Sequence, residues 1–140
     1  MRIKLSATVG GALLLLMIGG SFVACEHSVN APSTPPVQVQ PLLSSIQANI
    51  FTPKCVNAGC HPGGGAPMSL QAGQSFGTLV NQASAYNRPR VAPNNANNSA
   101  LFLKVAGTTL GAQMPLGRPP LSAAEIGAIQ TWITNGALNN

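Results

Sequence analysis

The stretch Cys55-Val56-Asn57-Ala58-Gly59-Cys60-His61 decides how the rest of the chain is read. Two thiols and one imidazole fall close together, and Cys60 and His61 are adjacent. Such a set serves three chemistries: a local disulfide, a zinc site, or covalent attachment of a flat cofactor through both sulfurs. Each makes a different demand on the residues around it.

Covalent haem attachment is usually written Cys-x-x-Cys-His. The two thiols add to two vinyl groups, and the neighbouring imidazole then lies beneath the iron. Here the Cys60-His61 adjacency is kept, and four residues separate the cysteines instead of two. The spacer Val56-Asn57-Ala58-Gly59 is mostly small, and Gly59 accepts backbone angles closed to other residues. Two extra residues therefore have room to bulge outward. A Cys55–Cys60 disulfide stays open as a rival in an oxidising compartment. Zinc has less support, because a structural site normally takes four protein ligands. The only other histidine, His27, lies well upstream.

The start of the chain bears on the compartment. Arg2 and Lys4 precede the apolar run of residues 12–18, and small residues follow it. That is the order of a secretory signal. Glycines flank a core too short for a membrane-spanning helix. The stretch Phe22-Val23-Ala24-Cys25 resembles a bacterial lipobox, which implies a signal over residues 1–24 and a lipidated Cys25. Cysteine parity agrees: the chain has three cysteines, and lipidation of Cys25 leaves Cys55 and Cys60 as a pair. Residues 25–41 are rich in Pro, Ser, Val and Gln without helical periodicity, and read as a tether. Residues 42–140 are expected to form one small domain, of a size that gains from a covalent staple.

Past the signal, Lys54, Arg88, Arg90, Lys104 and Arg118 stand against Glu26 and Glu125. The basic residues are scattered and not interleaved with aromatics, which argues against nucleic acid as a partner. One histidine and one glutamate in the domain also leave little for general acid–base catalysis. No small-molecule substrate is expected.

Leu43, Ile46 and Ile50 have helical spacing and predict a helix over residues 42–51, ended by Pro53. Prolines and glycines make residues 62–67 a loop, and residues 87–98 hold two prolines and five asparagines. Residues 76–80 suit one or two helical turns. Ser99 is placed to cap a short helix through residue 104, with Leu101, Phe102 and Val105 inward. Ser122-Ala123-Ala124-Glu125 is a capping box for a last helix with the stripe Ile126, Ile129, Trp132 and Ile133, stopped at Asn135-Gly136. No stretch alternates as a strand should.

A sixth ligand for an iron is sought among the methionines. Met1 and Met17 leave with the signal. Met68 lies close after His61, and Met114 lies far along, followed by a proline that fixes its backbone. Met114 is the preferred candidate; a lone methionine is otherwise most often core packing.

Residues 42–137 resemble a monohaem class I cytochrome c-like domain. The likeness is carried by Ile50-Phe51-Thr52-Pro53-Lys54-Cys55, by Val91-Ala92-Pro93-Asn94-Asn95 through Ser99-Ala100-Leu101, and above all by GAQMPLGRPPLSAAEIGAIQTWITNGA. It implies an all-α fold, a small helical domain with long Gly/Pro/Asn-rich loops wrapped around one haem c. It implies thioether bonds at Cys55 and Cys60, His61 as proximal iron ligand and Met114 as distal ligand. It implies electron transfer to redox partner proteins of the cell envelope, without enzymatic turnover by this chain. Leu43, Ile46 and Ile50 should then face Ile126, Ile129 and Trp132. Tyr86, Arg88 and Arg90 are candidate haem-propionate contacts. The lipid on Cys25 implies a membrane-anchored protein on the periplasmic side. Glu26 does not look like an inner-membrane retention signal, which favours the outer membrane. Two rival readings stand beside this one: a haem-based sensor or accessory subunit of an envelope oxidoreductase, and a haem-free lipoprotein binding module with a Cys55–Cys60 disulfide.

Overall fold

The computed structural model describes residues 38–56, 60–63, 68–107 and 110–140. The signal, Cys25, His27 and nearly all of the tether lie outside these residues. Among the described residues four α-helices order the domain: α1 (Leu43–Ile46), α2 (Ser75–Leu79), α3 (Ala100–Ala106) and α4 (Ala123–Thr134). A wider π-helical segment, Gln47–Val56, continues directly from α1, and a single 3₁₀ turn, Ala96–Asn98, precedes α3. Among the described residues there is no strand, only the isolated bridges Val80–Val91 and Ala83–Pro89. The fold is helical, as the periodicity predicts.

The first helical stretch differs from expectation at its end. Pro53 does not stop it; the winding passes through Pro53 and ends at Val56, one residue beyond Cys55. In an α-helix the proline ring meets the carbonyl four residues back, and one hydrogen bond is lost. A wider turn shifts that carbonyl away from the ring. The consequence is functional, because the first cysteine of the motif leaves from a helix end and not from a loop.

The start of α1 has no side-chain cap of its own. Asn140 serves instead: its Oδ1 accepts from Leu43 N–H at 3.0 Å, and its carbonyl accepts from Ser44 N–H at 2.7 Å. Ser99 does occupy the N-cap position of α3, yet its side chain does not cap the helix. It is fully buried; its Oγ accepts from Ala92 N–H at 2.8 Å and donates to Asn95 O at 2.8 Å. The hydroxyl bonds the loop before α3 in preference to the helix end. The α4 capping box forms as expected, with Ser122 Oγ accepting from Glu125 N–H at 3.3 Å and Glu125 Oε2 accepting from Ser122 N–H at 2.9 Å.

One core joins these elements. Leu43, Ile46, Ile50 and Phe51 from the first stretch meet Leu101 and Val105 of α3, and Ile129, Trp132 and Ile133 of α4. Ile126 packs at the margin, partly buried. Trp132 Nε1–H donates to Leu138 O at 2.8 Å, so the largest core side chain buries its ring without stranding its donor. Beyond α4, Gly136 (φ +97°) takes the left-handed backbone that turns the chain back, and Ala137 N–H donates to Trp132 O at 2.9 Å.

Candidate functional site

The two sides of one narrow cleft come from distant parts of the chain. Ile50, Phe51, Lys54 and Cys55 of the π-helical segment, with Cys60 and His61, supply one part of the lining. Leu101 and Val105 of α3, with Met114, Pro115 and Leu116, supply another, and Leu121 and Ile129 complete it. Met68 also reaches the cleft.

The attachment motif is closed by its own backbone. His61 N–H donates to Cys55 O at 3.0 Å, and Leu70 N–H donates to His61 O at 2.9 Å. The chain thus returns from Cys60-His61 to the helix end that carries Cys55, whatever residues 57–59 do; those lie outside the described residues. Cys55 and Cys60 are not joined by a disulfide. Burial pushes the Cys55 thiol up to about 11, with the neighbouring Cys60 adding to the shift. Cys55 is therefore a protonated thiol at neutral pH. His61 Nδ1 is buried and has no hydrogen-bond partner among the described residues. A buried nitrogen left so costs about 1–3 kcal/mol.

Lys54, beside Cys55, ties this side to α4. Its Nζ lies 2.6 Å from Glu125 Oε1, while Oε2 of the same carboxylate completes the capping box. Burial alone would raise the Glu125 carboxyl, but the Lys54 and Ser122 hydrogen bonds outweigh it and hold it below its ordinary value. The cap was legible in the sequence; the ion pair, between residues far apart in the chain, was not. One signal pointed to it: Glu125 is the only acidic residue after Glu26.

The space left between the two sides is small, a cavity of about 40 Å³. A second cavity of about 150 Å³ shares Met68, Leu101 and Met114 with it and is rimmed by Ser84, Tyr86, Arg90 and Lys104. The two spaces flank the same three side chains. A drug-sized ligand fills a site of roughly 300–1,000 Å³. A haem therefore requires the two sides to part. The donor set itself fits the group: two thiols, an imidazole with an unpartnered buried nitrogen, two thioethers, and an apolar lining.

Of the expected site residues, Cys55, Cys60, His61 and Met114 come together at the cleft. Tyr86 and Arg90 lie at the rim of the adjoining cavity, where Arg90 Nη1 also donates to Thr78 O at 2.8 Å. Arg88 does not join them. It lines a separate surface hollow with Asn81, Ala83, Asn87 and Pro89, and its Nη1 donates to Asn97 O at 3.3 Å. Two residues apart in an extended loop, Arg88 and Arg90 are sent to different hollows. Lys104 stands where sequence reasoning had not put it, and Met68, the less favoured of the two methionine candidates, joins Met114. Met68 is as much a part of the cleft as Met114.

Comparison of the chain with protein-family models, curated proteins and solved structures finds no match. Among the described residues, no helix is long and apolar enough to cross a membrane.

Proposed function

We propose that this protein is an electron-transfer c-type cytochrome, with one haem c held by Cys55 and Cys60 and with His61 and Met114 as axial ligands. The observation that carries the reading is the meeting of Cys55, Cys60, His61 and Met114 in one apolar cleft, although Met114 is far from the others in sequence. Nothing in the spacing of the motif alone requires it.

When bound, the haem supplies a one-electron ferric/ferrous couple, and a thioether opposite an imidazole raises its potential. The chain's own residues do the rest. The two thiols hold the group covalently. His61 is fixed by backbone bonds on both sides, to Cys55 and Leu70. Ile50, Phe51, Leu101, Val105, Leu121 and Ile129 exclude water and so tune the couple. Glu125, the one acidic side chain among the described residues, is committed to Lys54 and the α4 cap. In this reading Cys25 carries the lipid, the protein is held at a cell-envelope membrane, and electrons pass to redox partner proteins there.

Expression with a cytochrome c maturation system, followed by intact mass and a pyridine haemochrome spectrum, tests this directly. A chain heavier by one haem, with a thioether-type spectrum, is expected. A bare-chain mass less two hydrogens, with no Soret band, would sink the haem reading in favour of the Cys55–Cys60 disulfide.

A further inference from the structure

Resting on that reading, we propose that Lys104 is the positioning residue that holds Met114 at the cleft and so keeps the iron's sixth position closed. Met114 belongs to a stretch without regular structure, and four hydrogen bonds tie that stretch to the end of α3. Lys104 Nζ donates to Leu110 O at 3.1 Å and to Ala112 O at 2.5 Å. Gln113 Nε2 donates to Val105 O at 2.9 Å. Met114 N–H donates to Lys104 O at 2.9 Å. Lys104 thus takes part in three of the four, twice through its ammonium and once through its backbone.

The arrangement is more than a surface contact. Charge-assisted bonds from an ammonium to carbonyls are stronger than neutral ones. The Lys104 Nζ also lies 5.3 Å from the centre of the Tyr86 ring, which lines the same cavity as Met114. Leu101 and Val105, on the same helix, line the cleft beside Met114. The clamp therefore makes α3 and the Met114 stretch one body, and Met114 moves only as that body moves. The residues after Met68 are tied as well, Thr78 Oγ1 donating to Ser69 O and Leu70 N–H to His61 O, but by neutral groups, whereas an ammonium takes part at Met114. The same ammonium bonds assign Lys104 to the loop in place of a propionate, since two of its three donors are already used.

The test uses Lys104→Met, which keeps the apolar stem and removes the donors, with Lys104→Arg as the conservative partner and Gln113→Ala as a second way to loosen the clamp. In the oxidised holoprotein, Lys104→Met is expected to lose most of the red charge-transfer band of a methionine–iron bond. Its reduced form is expected to bind carbon monoxide without denaturant, and the parent is expected not to. Lys104→Arg should restore both, and Gln113→Ala should show a weaker form of the defect. In the haem-free chain, the Met114 amide of Lys104→Met should exchange with solvent at least about tenfold faster, as loss of charged hydrogen bonds predicts. An undiminished band, no carbon monoxide binding and unchanged exchange at Met114 would overturn the proposal. So would protection lost evenly over α1, α3 and α4, which marks a general stabiliser. If the parent carries no haem, the electron-carrier reading falls, and amide exchange still decides the clamp.

Discussion

The attachment side of the cleft is one continuous helical run from Leu43 to Val56, with Ile46, Ile50 and Phe51 fully or almost fully buried. The stretch that carries Met114, residues 110–116, has no regular structure; it borrows its order from α3 through Lys104 and Gln113, and Leu116 stands 59% exposed at its edge. The helical run is held by apolar burial, the Met114 stretch by a few directed bonds. Burial is spread over many contacts and hard to undo locally, whereas directed bonds can be lost one at a time. A cleft that has to part for a large cofactor has its yielding side where the bonds are few.

The contrast is open to test by substitution. The largest effect is expected for Ile50→Ala, which opens a cavity in the attachment side and should cost about 2–5 kcal/mol in a denaturant titration. A cost near zero would mean that this side is not the rigid one. Next comes Glu125→Ala, which removes the carboxylate half of the α4 capping box and the Lys54 pair. A loss of about 1–2 kcal/mol is expected, of which the half-exposed Lys54 pairing supplies the smaller share.

The same carboxylate gives a pH signature. Its folded value lies below the ordinary 4.5. Its contribution is therefore complete above that ordinary value and is lost as the pH falls through the depressed one. Denaturation midpoints followed into acid should fall less steeply in Glu125→Gln than in the parent; equal slopes would refute the assignment.

On the other side, Gly107→Ala combines a left-handed backbone (φ +73°) with an approach of 2.7 Å between the new methyl and the Gln113 amide. About 1 kcal/mol or more should be lost, together with protection at Met114. Leu116→Ala is the smallest change, within about 0.5 kcal/mol, because this exposed side chain contributes little burial.

Some of this was legible in the residues. The α4 helix was readable from end to end, since the capping box, the Ile126–Ile129–Trp132–Ile133 stripe and the Asn135-Gly136 stop are all local. The apolar face of Leu43, Ile46 and Ile50 was readable for the same reason. Pro53 was misleading, because the rule that it ends a helix holds for α winding and the chain winds wider there. Ser99 was half readable: its position follows from the sequence, but its hydroxyl answers to the loop of residues 92–95. The sorting of Arg90 to the cavity rim and Arg88 elsewhere depends on how the loop folds back, and neighbours in sequence carry no sign of it.

The sequence by itself determined which groups are available to the chemistry: a Cys-Cys-His motif with a small spacer, a methionine before a proline, and helices whose periods set their buried faces. Tertiary structure alone decided which of these groups meet. It brought Met114 and Met68 to one cleft, joined Lys54 to Glu125, gave the α1 amides to Asn140, and spent Lys104 on the carbonyls of Leu110 and Ala112. The reason is physical. Helix periods and caps act over a few residues and are written in their spacing, whereas a side chain bonding to a remote backbone group leaves no periodic trace in the sequence.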